Sequence, residues 1–206
     1  MTRAAAGVLE IATPHGPARA HLHAVDAPRA ALVLGHGAGG GVGAPDLVAA
    51  TDAALSAGVA VALVEQPYRV AGRRSPAPAT QLDAAWLAVV EHLRGHELAD
   101  HMLVTGGRSS GARVACRTAA AAGAVGVLCL AFPVHPPGKP EKSRLDELDA
   151  VKVPVLVVQG ERDPFGMPPS KRGRRKVVTV AGDHSLKADL PAVQAAVLAW
   201  LRRLIG

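Results

Sequence analysis

The sequence predicts an α/β domain: a mostly parallel β-sheet with helices on both faces and an antiparallel hairpin at its N-terminal end. Two observations predict it. Continuous apolar runs at residues 31–34, 59–64, 102–105, 125–131, 155–159 and 177–180 have the pattern of strands buried on both faces of a parallel sheet. Helical patterns alternate with those runs, and strand–helix–strand units close into a sheet covered on two sides. A length of 206 residues suits one such domain, expected to span residues 1–206.

Each element has its own signal. Residues 8–13 and 18–23 flank the turn Pro14-His15-Gly16 and form the expected hairpin. The helix expected over 46–57 is closed by Gly58, a residue suited to the left-handed C-terminal cap. Residues 80–94 open with Thr80 and Asp83 in a capping-box spacing and repeat Leu82, Trp86, Val89, Val90 and Leu93 on one helical face. A helix over 110–122 ends at Gly123, and one over 191–204 aligns Val193, Val197, Trp200 and Leu204. The interval 132–154 holds only a short helix near 143–148, so no large lid is expected. Ligands of such sheets bind at the carboxyl ends of the strands.

That edge carries the chemistry. Gly107-Arg108-Ser109-Ser110-Gly111 is a G-x-S-x-G placed between an apolar run and a helical pattern. A sharp strand-to-helix turn would lift the Ser109 hydroxyl off the sheet and aim the helix N-terminus at a developing oxyanion. Ser109 then needs a base, and the base needs an orienting carboxylate. Asp163 follows the run 155–159 and His184 follows the run 177–180, giving the order Ser, acid, His at successive strand ends. Glu161 and Asp183 are the competing acids, and Asp183 adjoins His184 so closely in sequence that the two side chains should diverge. In the loop Gly35-His36-Gly37-Ala38-Gly39-Gly40-Gly41, the N–H of Ala38 is expected to bind the oxyanion together with that of Ser110. His36 is expected to hold this loop by a hydrogen bond.

His36-Gly37-Ala38-Gly39, the Gly-Arg-Ser-Ser-Gly elbow, Gly-Glu-Arg-Asp163 and Gly-Asp-His184 together resemble the α/β-hydrolase superfamily. The chain is similar to its dienelactone-hydrolase-like branch, which includes testis-expressed protein 30-like and NSL-complex subunit 3-like proteins, and the segment Pro67-Tyr68-Arg69-Val70-Ala71-Gly72-Arg73-Arg74 is part of that likeness. The resemblance implies the α/β-hydrolase fold. Dienelactone hydrolases proper use a cysteine nucleophile where this chain has Ser109, so their substrate does not carry across. Some relatives in the branch act as scaffolds, and the fold alone does not establish catalysis. The expected activity is that of a serine hydrolase cleaving a small ester or thioester through an acyl-enzyme, and a non-catalytic interaction module is the alternative.

Other function classes are weaker. Gly35, Gly37 and Gly40 with Glu65 fit a dinucleotide fingerprint, but the segment through Pro45 delays the helix that should begin within the glycines. The pairs His21/His23 and His92/His96 lack a third ligand at matching spacing, so no metal and no cofactor are expected. The net charge of +6 is scattered except for the run Lys171–Lys176, which is expected to be a solvated surface; no nucleic-acid partner follows from it. Cys116 and Cys129 are expected as buried free thiols. The N-terminus lacks the apolar core of a leader, and no run spans a membrane, so a cytoplasmic protein is expected. With only two Trp, two Phe and one Tyr, the positions of Tyr68, Phe132 and Phe165 just past strand ends suggest a pocket wall. Arg69 and Arg108, with Arg73 and Arg74 nearby, suggest affinity for an anionic group on the ester. The oligomeric state is not legible from these patterns.

Overall fold

The computed structural model describes residues 7–206. Residues 1–6, on which the start of the expected domain and part of the leader argument fall, lie outside the described residues. Strands β1 (Gly7–Ile11), β2 (Ala18–His23), β3 (Ala30–Gly35), β4 (Val59–Glu65), β5 (Leu103–Arg108), β6 (Gly126–Leu130), β7 (Val155–Gly160) and β8 (Arg175–Val180) form one sheet in the order β1-β2-β4-β3-β5-β6-β7-β8. β1 pairs antiparallel with β2, and β2 antiparallel with β4. Every pairing from β4 to β8 is parallel. The hairpin turns through Gly16 at φ 102°, a left-handed value that suits a residue without a side chain.

Both faces are covered, as continuous apolar strands require. In β3, Leu32 and Leu34 face helices α1 (Pro45–Ser56) and α6 (Leu190–Ile205), packing with Leu47, Val193, Val197 and Trp200. Ala31 and Val33 point to the other face, with Trp86, Val89 and Leu93 of α3 (Ala79–Gly95) and Val114 of α4 (Ser110–Thr118). Leu148 of α5 (Leu145–Asp149) packs with Val127, Val157 and Phe132 at one end of that face.

Several local expectations change. α3 begins at Ala79 with Pro78 at its N-cap and no side-chain cap, and Asp83 turns to Arg117 at 2.6 Å instead of closing a capping box. A one-turn helix, α2 (Pro67–Val70), follows β4. The basic run is not wholly solvated: β8 starts at Arg175, whose side chain is buried and donates to Asp149 at 2.9 Å. Between β6 and β7 lies α5 and no other helix or strand, so the strand carboxyl ends carry no large lid. Cys116 and Cys129 are both buried and free. Among the described residues, no helix is long and apolar enough to cross a membrane.

Candidate active site

Ser109 sits between β5 and α4 at φ 52° and ψ −109°, a strained conformation for a residue with a side chain. Its N–H is held by the carbonyl of Leu130 on β6 at 2.9 Å. The flanking glycines are required by close approach rather than by their own dihedrals. A Cβ on Gly107 would lie 2.6 Å from the Gly35 carbonyl oxygen, and one on Gly111 would lie 2.4 Å from it. The elbow is therefore pressed against the end of β3, and only glycine permits this at both positions.

The loops after β7 and β8 bring an acid and a base to that serine. His184 Nε2 is 2.9 Å from Ser109 Oγ, and His184 Nδ1 is 2.8 Å from Asp163 Oδ2. The Asp163 side chain is 1% exposed, so its charge must be met inside the protein. Oδ1 accepts the Phe165 N–H at 2.8 Å, and Oδ2 accepts a second bond from Gln159 Nε2, also at 2.8 Å. A carboxylate accepting at Nδ1 selects the Nδ1–H tautomer, which leaves the Nε2 lone pair facing the hydroxyl. Phe165 stacks on the imidazole with ring centroids 4.1 Å apart. The competing acids are engaged elsewhere. Asp183 Oδ1 accepts from the Ser185 N–H and hydroxyl, bonds that hold its carboxyl below the usual range, and exposed Glu161 pairs with Arg162.

The loop after β3 is fixed from two sides. His36 Nδ1 donates to the Gly37 carbonyl at 2.8 Å, while its Nε2 accepts the Gln66 N–H at 3.1 Å. One nitrogen donating and one accepting means a neutral ring, and burial pushes its pKa below the usual histidine value. Tyr68 Oη donates to the Ala38 carbonyl at 2.8 Å. The peptide planes on both sides of Ala38 are thus set before any substrate arrives. The Ser110 N–H belongs to the first turn of α4, where backbone donors have no intrahelical acceptor.

Residues 28–191 match the alpha/beta hydrolase domain family. The chain belongs to that family. Solved structures share the fold of this α/β hydrolase over nearly its whole length. A Xanthomonas campestris protein described as a serine hydrolase without a lid has a TM-score of 0.80 and 21% identity, over 98% of this chain and 96% of its own. An esterase from Pyrococcus furiosus has a TM-score of 0.77 and 15% identity, over 98% and 91%. A dienelactone hydrolase from Anabaena variabilis has a TM-score of 0.72 and 15% identity, over 97% and 95%. No curated protein matches the sequence.

Within this α/β hydrolase the residues expected to line a pocket divide. Phe165 stands over the imidazole and is partly exposed. Phe132 does not: it is fully buried under the sheet edge, with its carbonyl accepting from Gln159. Tyr68 is likewise buried and supports the loop after β3, its hydroxyl donating to the Ala38 carbonyl and its ring meeting His36 edge-on with centroids 5.7 Å apart. Arg69 is half-buried and donates to the Arg73 carbonyl at 3.3 Å. Arg108 points inward: Nε lies 2.9 Å from Asp46 Oδ2 and Nη2 donates to the His184 carbonyl at 3.0 Å. Its charge is met by a carboxylate that is 0% exposed, so a substrate-facing role does not fit it.

Asp46 and Gln159 were not singled out by sequence reasoning. Gln159 had a faint signal, as a polar residue closing an apolar strand. Asp46 had none beyond the acidic bias of helix first turns, and its place at the start of α1 puts a carboxylate where a dinucleotide phosphate would have to sit. Glu65, which would be the ribose partner in the disfavoured dinucleotide reading, pairs with His21 at 3.1 Å. His92 and His96 stack on each other, and among the described residues no group of three or more His, Cys, Asp or Glu could hold a metal.

Proposed function

We propose that this protein is a serine hydrolase that cleaves a small ester or thioester through an acyl-enzyme, with Ser109 as nucleophile, His184 as general base and Asp163 as the orienting acid. The carrying observation is the unbroken hydrogen-bond chain from Ser109 Oγ through His184 to Asp163, at a lid-free sheet edge. Ser109 Oγ attacks the acyl carbon as His184 Nε2 takes its proton, and the carbonyl oxygen becomes an oxyanion received by the N–H groups of Ala38 and Ser110. The tetrahedral intermediate collapses as His184 returns the proton to the leaving oxygen or sulfur. Water, deprotonated by His184, then attacks the acyl-serine, and collapse restores Ser109 with its proton and releases the acid.

The names of the lid-free serine hydrolase and the esterase among the similar structures support this chemistry. The resemblance of the motifs favours the dienelactone-hydrolase-like branch, and no observation favours a purely non-catalytic interaction module. Arg69, Arg73 and Arg74 are the cations left to attract an anionic ester once Arg108 is paired, and a small-molecule substrate in the cytoplasm fits the two buried free thiols. A panel of p-nitrophenyl esters and acyl thioesters of increasing chain length tests the reading. The expected result is saturable turnover of short acyl chains without interfacial activation. Turnover equal to the uncatalysed rate across the panel would overturn it.

A further inference from the structure

We propose that Arg108 is a positioning residue of this site: buried Asp46 fixes its guanidinium, and the guanidinium holds the His184 backbone over Ser109. Its kinetic consequence rests on the serine-hydrolase reading above, whereas its structural content does not.

The Asp46 side chain is 0% exposed on the first turn of α1, Oδ1 accepts the Leu47 N–H at 3.0 Å, and Oδ2 lies 2.9 Å from Arg108 Nε. A carboxylate removed from water is retained only against a well-placed cation, and removing either partner leaves the other charge buried. Burial pushes the Asp46 carboxyl upward and the Arg108 charge pulls it back down. Arg108 itself is set by the elbow, whose backbone is fixed by the strained Ser109 and by the approach of Gly107 and Gly111 to Gly35.

A guanidinium anchored at both ends becomes a rigid spacer. Nη2 donates to the His184 carbonyl at 3.0 Å. Nη1 lies so close to Gly37 that a Cβ there would sit 2.7 Å from it. One planar group therefore touches the loops after β3, β5 and β8, which carry the oxyanion donor, the nucleophile and the base. Arginine suits this place because its Nε meets Asp46 as a charge contact while Nη2 donates to the His184 carbonyl, two separated points that the single ammonium of lysine cannot reach together. Asp163 sets the ring from its Nδ1 side, and Arg108 sets the backbone from which the ring hangs.

The experiment compares Arg108→Lys, Arg108→Ala and the double variant Asp46→Asn/Arg108→Ala, which leaves no unpaired charge if the single variants do not fold. Turnover of a neutral short-chain ester and the imidazole 15N shifts of His184 are read on each folded protein. The expected result is a loss of kcat of roughly 100-fold with little change in KM, the scale of misplacing a base by about 1 Å. The 15N shifts should move from the pure Nδ1–H tautomer toward a mixture. Methylguanidinium should restore part of kcat to Arg108→Ala and none to Asp46→Asn/Arg108→Ala, an outcome a merely structural role would not produce. Variants with wild-type kcat and unchanged His184 shifts overturn the proposal. If the wild type itself hydrolyses nothing, the hydrolase reading falls, and the 15N shifts still decide whether Arg108 positions His184.

Discussion

Gln159 Nε2 donates to Asp163 Oδ2 at 2.8 Å while it also bonds the carbonyls of Phe132 at 3.1 Å and Gly166 at 2.8 Å. Three oxygen acceptors around one atom identify that atom as the amide nitrogen. The end of β7 thus ties the acid loop to β6 through one buried side chain. Gln159→Leu keeps the volume and removes the donors. The expected result is a loss of about 1–3 kcal/mol in stability, the usual cost of buried groups left unsatisfied. Chemical denaturation measures the stability, and activity should fall with it because Asp163 loses a restraint.

Asp163 and Asp183 make opposite predictions. Asp163→Asn offers an amide in place of an acceptor at His184 Nδ1, favouring the wrong tautomer, and kcat should drop by about 10⁴ as in other sites of this geometry. Asp183→Asn changes an exposed carboxylate that serves Ser185, and kcat should stay near wild type. Steady-state kinetics of the two variants side by side distinguish them.

The buried neutral His36 makes the fold sensitive to acid. Its folded pKa lies below its unfolded value of about 6.5, so the unfolded chain binds the proton first. The sign follows: stability is fully present above pH 6.5 and falls as pH drops below it toward the lowered folded pKa. One such group contributes a slope of up to about 1.4 kcal/mol per pH unit. Thermal unfolding of wild type and His36→Gln between pH 7.5 and 5 should show a shallower decline in the variant.

Most of the architecture was legible in the chain because strands buried on both faces have no polar alternation to blur them. Ser109, Asp163 and His184 were legible because each ends an apolar run at one sheet edge, which is a local pattern. The supporting residues were not. Asp46 meets Arg108 across a separation of 62 residues, and nothing in the sequence around either names the other. The aromatics misled for a related reason. Phe132 and Phe165 both follow strands, but the first turns under the sheet into the core and the second turns outward over His184, a difference set by tertiary packing.

Labelling with a fluorophosphonate probe, read by intact mass and peptide mapping, decides whether Ser109 is a nucleophile activated by His184. One adduct on Ser109 is expected in the wild type, none in Ser109→Ala, and labelling slowed by orders of magnitude in His184→Ala with the fold retained. An unlabelled wild type, or an adduct that persists in Ser109→Ala, would contradict that role.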